Sequence, residues 1–188
     1  MSIVDKLLTV EEFSLLPDDG SKHELVQGKL VEMNIPRPRH GKIIFAIARV
    51  VGNFIEAQDL GHWFGDAGVV TERNPASVRG PDAAFTSFAR LPRDADDDDY
   101  FTVPPDLVFE VMSPSERWPA VIDKVSEYLR SGVRIVCIVD PVTTSLQLHT
   151  LDKASVTLSR DDVFSVPEVL PGFSCPVTEL FPQKSRRQ

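Results

Sequence analysis

Two acidic residues stand in stretches that otherwise read as buried strands. Glu110 lies within Asp106-Leu107-Val108-Phe109-Glu110-Val111-Met112, a mostly apolar run bounded by Pro104-Pro105 and Ser113-Pro114, as expected of a central strand. Side chains alternate along a strand, so Leu107, Phe109 and Val111 point one way while Val108, Glu110 and Met112 point the other. A carboxylate there is costly unless it is paired, protonated or bound to a cation. Two readings stay open: a structural salt bridge, with Lys124 or Arg134 as partner, or a ligand. Asp82 follows Pro81 and precedes Ala83-Ala84-Phe85, at the start of another apolar strand. Taken alone, such an aspartate is more often a turn residue. Set on a neighbouring strand, Asp82 and Glu110 with a main-chain carbonyl would form an oxygen-lined site suited to Mg²⁺ or Mn²⁺, ions that activate water and stabilise charge on a phosphodiester.

The elements that must hold these residues are legible from periodicity. Thr9-Val10-Glu11-Glu12 has capping-box spacing and predicts a short helix ended by Pro17 and Gly20. Lys22 to Asn34 reads as an edge hairpin around Gln27-Gly28. Ile43, Ile44, Ile47, Val50, Val51, Phe54 and Ile55 predict a long amphipathic helix between Gly41 and Gly61. Its start carries Arg37, Arg39, His40 and Lys42, which are either a solvated helix start or phosphate contacts, and His40 either caps the helix or meets substrate. Strand-like pieces follow at 62–64, 68–72 and 78–85. After the Glu110 strand, Pro119 to Leu129 closed by Gly132 predicts a helix, and Val133 to Val139 a second buried strand, together a βαβ unit with a parallel strand pair. Lys124 sits at the edge of the face formed by Val121, Val125 and Tyr128, the usual place of a snorkelling surface lysine that adds little stability. An alternating strand at 145–150 and weaker ones near Val156 and Val163 complete the chain before a Pro-rich end.

The ordered set Lys22-His23-Glu24-Leu25-Val26-Gln27-Gly28, Pro38-Arg39-His40, Val78-Arg79-Gly80-Pro81-Asp82-Ala83-Ala84-Phe85, Pro105 through Ser115, Asp123-Lys124 with Tyr128 and Gly132-Val133, and Val139-Asp140-Pro141 closely resembles the Uma family of restriction endonuclease-like proteins, a branch of the PD-(D/E)XK nucleases. The resemblance runs from about Thr9 to Phe181. It implies an α+β fold, a mixed β-sheet flanked by helices with a restriction endonuclease-like core and an N-terminal helix and hairpin. It implies Asp82 and Glu110 as metal-binding acids, Glu24 as a further acid, and Mg²⁺- or Mn²⁺-dependent hydrolysis of DNA. The sequence departs from the superfamily at Met112, where a lysine would share the face of Glu110 and meet the same water. In this family the lysine looks displaced to the following helix, at the place of Lys124. Arg39 and His40 are the candidate substrate-binding residues. A catalytically inactive nuclease-fold binding or structural module is the alternative, and a carboxylate-based sugar or nucleotide hydrolase a thinner third class.

Composition bounds these readings. The 188 residues fit one domain, 1–188, with a family-like region over 9–181 and a basic tail at 182–188. The net charge of −8 repels polyanions, but five aspartates lie in one loop between Asp94 and Asp99, and setting them aside from −8 leaves −3. Cys137 and Cys175 lack metal-site or redox spacing and are expected as reduced, packed thiols. No stretch approaches the ~20 apolar residues of a membrane span, and the apolar patch near the N-terminus is too short for a signal peptide, so the expected compartment is the cytoplasm. Cutting both strands of a duplex with one metal site per chain leads to the expectation of a homodimer.

Overall fold

The computed structural model describes residues 6–95, 98–114 and 116–182. Asp96, Asp97 and Ser115 lie outside the described residues, as does the basic tail from residue 183 onward. The chain begins with α1 (Val10–Ser14), where Thr9 and Glu12 complete the expected capping box. The hairpin β1 (His23–Val26) and β2 (Lys29–Glu32) turns at Gln27 and Gly28, both with positive φ. Only glycine takes that geometry without strain, and the consecutive positive values match the right-handed twist of a hairpin.

α2 (Pro38–Ile47), a π-helical segment (Ala48–Gly52) and α3 (Asn53–Ala57) run on as one helical stretch. The sequence predicts an unbroken amphipathic helix, and the π turn has a physical reason. The fully buried Ile43, Ile47, Val51 and Ile55 repeat every four residues, a spacing that drifts by about 40° per step around an α-helix. The wider π turn returns that row to the core.

β3 (Gly61–Phe64), β4 (Val69–Arg73), β5 (Ala76–Arg79), β6 (Ala83–Ser87) and β7 (Leu107–Val111) follow, then α4 (Trp118–Ser131), β8 (Ile135–Asp140), β9 (Ser145–His149), β10 (Val156–Leu158), β11 (Val163–Phe164), β12 (Cys175–Pro176) and a 3₁₀ turn, Val177–Leu180. A six-stranded mixed sheet has the order β10-β9-β8-β7-β6-β3, in which β7 and β8 are parallel. Here α4 makes the crossover expected from the sequence, closed by Gly132 at φ 105°. α2 and α3 pack with the C-terminal segment on one face, and α4 packs on the other through Val121, Val125 and Tyr128.

The hairpin does not merely decorate that sheet. It joins a second, antiparallel sheet of order β2-β1-β5-β4, covered on one side by Val10 and Phe13 of α1. The run 78–85, read from sequence as one strand-like piece, is therefore two strands in two sheets. Gly80 gives its N–H to Glu24 and Pro81 has none, so the ladder stops there and the chain crosses over.

Close approach fixes Gly61, where an added Cβ would lie 2.2 Å from the Thr86 carbonyl oxygen, whereas nothing lies within 4 Å of one at Gly41. Gly61→Ala should therefore destabilise the fold by about 2 kcal/mol or more, and Gly41→Ala, within a helix, should stabilise it by up to about 1 kcal/mol. Urea denaturation of the two variants checks the opposite signs.

Candidate active site

Pairing of Ala83 with Phe109 sets Asp82 opposite Glu110. Ala84 and Val108, which share their faces, both pack in the core under α4, so the two acids point to that same side of the sheet. Both side chains are largely buried, at 15% and 14% exposed. Asp82 Oδ2 accepts from the Val111 N–H at 2.7 Å, and its Oδ1 lies 3.0 Å from His40 Nε2. Glu110 accepts from the Tyr128 hydroxyl at 2.8 Å, and Lys124 Nζ lies 3.0 Å from its carboxylate. The expected partner Lys124 is thus the one found, while Arg134 pairs instead with Asp106.

Lys124 does not snorkel to solvent. Its side chain is 16% exposed and reaches Glu24 as well, at 3.3 Å. Glu24, on the inward face of β1, is 3% exposed and also accepts from Arg79 and from the Gly80 N–H at 3.0 and 3.1 Å. Arg79 in turn grips Glu127 of α4, with Nε 2.9 Å from Oε1, and Thr71 of β4 donates to the same carboxylate. The candidate acids Glu24, Asp82 and Glu110 therefore stand in one cluster with Lys124 and His40. Arg39, the remaining candidate, is exposed and gives its guanidinium to the Pro141 carbonyl.

Arg79, Glu127 and Tyr128 carry no assigned role in the sequence reading. The signal available for the two helical residues was their spacing from Lys124, three and four positions on, which places all three on adjoining parts of one helix surface. Arg79 had only its place beside the Gly80-Pro81 break.

Burial pushes the Glu110 carboxyl up to about 7; Lys124 opposes the rise, and Asp82 and Glu24 add to it. Burial also works to raise Glu24, but Lys124 and Arg79 together hold it below the ordinary carboxylate range. The hydrogen bond to Asp82 raises His40. Lys124 is raised despite its burial, because Glu110 and Glu24 favour its ammonium form. Among the described residues His40 Nδ1 is buried without a partner, and neither ring nitrogen is presented to solvent.

The donor set suits a hard divalent cation: Asp82 and Glu110 offer carboxylate oxygens on one face, in a cluster where the acids Glu24, Asp82, Glu110 and Glu127 outweigh Arg79 and Lys124. Among the described residues no group of three or more His, Cys, Asp or Glu side chains stands in metal-binding geometry. Solvent and main-chain oxygens would complete the shell, as Mg²⁺ ordinarily allows. A small cleft lined by Glu110, Met112, Glu116, Val121 and Lys124 opens beside the Glu110 carboxylate.

A mixed sheet with helices on both faces makes the chain an α+β protein. The Uma2 family, described as "Putative restriction endonuclease", matches residues 10–178, and the chain belongs to that family. Five solved chains are similar. One is a putative nuclease belonging to DUF820 from Anabaena variabilis, with TM-score 0.81 and 19% identity over 93% of this chain and 97% of that one. At that identity the likeness shows the shared fold. No curated protein matches significantly.

Lys124 carries more of the fold than a boundary lysine would. Lys124→Met leaves Glu110 and Glu24 without its charge and should cost about 3–5 kcal/mol, a large part of which Glu110→Gln should restore; denaturant titration of the single and double variants measures this.

The pH dependence has a defined sign. Glu110 titrates near 4.5 when unfolded and about 7 when folded, so its contribution is full below 4.5 and is lost as pH rises toward 7. His40, also raised on folding, loses its contribution as pH climbs through its folded value. Glu24, lowered on folding, acts the other way: its contribution is full above its unfolded value and is lost as pH falls through its folded value. Metal-free protein should therefore lose stability from about pH 5 to about pH 8, and Glu110→Gln should flatten that slope in denaturation midpoints.

Proposed function

We propose that the protein is a Mg²⁺- or Mn²⁺-dependent endonuclease that hydrolyses DNA phosphodiester bonds. The observation that carries this reading is the opposition of Asp82 and Glu110 on one sheet face with Lys124 Nζ 3.0 Å from Glu110. It restores, from a helix, the cation that Met112 fails to supply in the strand. Membership of the Uma2 family supports nuclease chemistry.

Asp82 and Glu110 would hold the ion, which when bound polarises the phosphodiester and lowers the pKa of a bound water. The protein's own groups set the geometry. Val111 N–H and His40 fix the Asp82 carboxylate, and Tyr128 fixes that of Glu110. Lys124 is held as an ammonium, so it orients the attacking water and stabilises developing negative charge instead of acting as a base. Glu24 sets the position of Lys124, and Arg79 keeps Glu24 ionised. His40 acts on Asp82 through Nε2, and Arg39, tied to Pro141, stands at the margin of the site.

A nuclease fold without turnover is favoured by one observation: each of Glu24, Asp82 and Glu110 already accepts from protein donors. Calorimetry with Mn²⁺ separates the two readings, because a nuclease site binds the ion through Asp82 and Glu110 and a purely structural cluster does not. We further propose a single domain acting as a homodimer in the cytoplasm. The free, buried Cys137 and Cys175 fit a reducing compartment, and among the described residues no helix is long and apolar enough to cross a membrane.

Cleavage of single-stranded, duplex or branched DNA should require Mg²⁺ or Mn²⁺ and fall by at least about 100-fold in Asp82→Ala; metal-independent cleavage, or full activity in that variant, would overturn the assignment. Light scattering that returns a monomer mass at every concentration would reject the dimer.

A further inference from the structure

The residues that open the helical stretch are occupied elsewhere: His40 faces Asp82 and Arg39 holds the Pro141 carbonyl. The rest of that stretch has an unusual charge pattern. From Met33 to Ile55 the chain contains no Asp or Glu, although 28 are spread over 188 residues, and it carries Arg37, Arg39, Lys42 and Arg49. Its inner side is the buried row Ile43, Ile47, Val51 and Ile55. Its outer side presents Lys42, Phe45 and Arg49, spaced to share one helix surface, with Arg37 at the start.

All four are exposed, and Phe45 most unusually so at 79%. Among the described residues Arg37, Lys42 and Arg49 have no ion-pair partner. In a protein of net charge −8, unpaired cations gathered around a solvent-facing aromatic ring form a local surface of opposite sign.

We propose that the outer face of the helical stretch that begins with α2, built from Arg37 at its start, Lys42, Phe45 and Arg49, is the surface that grips the DNA backbone flanking the cleaved bond. The inference rests on the nuclease reading above and specifies where substrate is held. The face meets the site at one end: the helical stretch packs on the sheet face opposite the two acids, but its first turn delivers His40 to Asp82 at the end of that sheet, and Arg49 lies about 14 Å further along the axis. Lys42, Arg37 and Arg49 meet phosphates, releasing counterions, while Phe45 lies against a sugar or an unstacked base. A second copy of this chain is disfavoured as occupant, because a two-fold interface would set the same cations against one another.

The test measures anisotropy of a short fluorescein-labelled duplex, and of one of its single strands, against salt concentration in EDTA. Lys42→Glu with Arg49→Glu should weaken binding by about tenfold or more and make the log–log salt slope shallower by about 1.8 on the duplex and about 1.4 on the single strand, the values for two lost phosphate contacts. Phe45→Ala should weaken binding about fivefold or more with an unchanged slope. Lys153→Glu with Arg160→Glu makes the same change in net charge on another surface and should have little effect.

If the distant pair weakens binding as much as the helix pair, or if the helix pair binds like the wild type, the assigned surface is wrong. Metal-dependent cleavage abolished by Asp82→Ala would then still uphold the nuclease reading. Absence of both wild-type binding and Asp82-dependent cleavage overturns both. Dissociation of a dimer by Phe45→Ala at unchanged DNA affinity would assign the face to a second copy and overturn the proposal.

Discussion

The structure turns on the burial of Glu110 in the middle of a sheet. A charged carboxylate in that place has to be compensated by donors from elsewhere in the chain, and α4 supplies two of them, Lys124 and Tyr128. The same helix fills the sheet face with Val121, Val125 and Tyr128, so its apolar packing and its electrostatic duty fix the same docking position. Tyr128 serves both at once, with its ring in the core and its hydroxyl on the acid.

Compensation does not end at that helix. Lys124 is shared with Glu24, Glu24 with Arg79, and Arg79 with Glu127, which returns the network to α4. The chain thereby ties the antiparallel sheet to the mixed sheet through charge, across a junction where Gly80 and Pro81 interrupt the strand ladder. Within four residues, Arg79-Gly80-Pro81-Asp82, the chain presents a cation to Glu24 and Glu127 and an anion to the candidate metal position. A network of this kind is costly to desolvate and gains little over apolar packing as a source of stability. Its effect is to hold Glu24, Asp82, Glu110 and Glu127 close together with Arg79, Lys124 and His40.

Net charge does not describe how charge is distributed over this chain. The acidic balance of the whole chain owes much to one loop, whereas the helix that reaches Asp82 is free of acids over its length up to Ile55. Long-range repulsion between protein and polyanion is screened within roughly 10 Å at ordinary ionic strength, so local clusters decide contact.

The sequence by itself determined the apolar runs beside Asp82 and around Glu110, the crossover helix with its glycine cap and the capping box of α1, because each depends on periodicities and caps within a few residues, whereas the register of β6 against β7 set the two acids on one face. The sequence also established that Glu110 needed a partner. Only the tertiary structure decided which one, since Lys124 and Arg134 are equally available to a reader of the sequence and the fold sends the latter to Asp106. It likewise brought Glu24 to Lys124 across a separation of 100 residues and Arg79 to Glu127 across 48, and it parted residues 78–85 between two sheets. Such pairings are absent from local pattern because they are selected by the desolvation of groups that meet only when the sheets and α4 have packed.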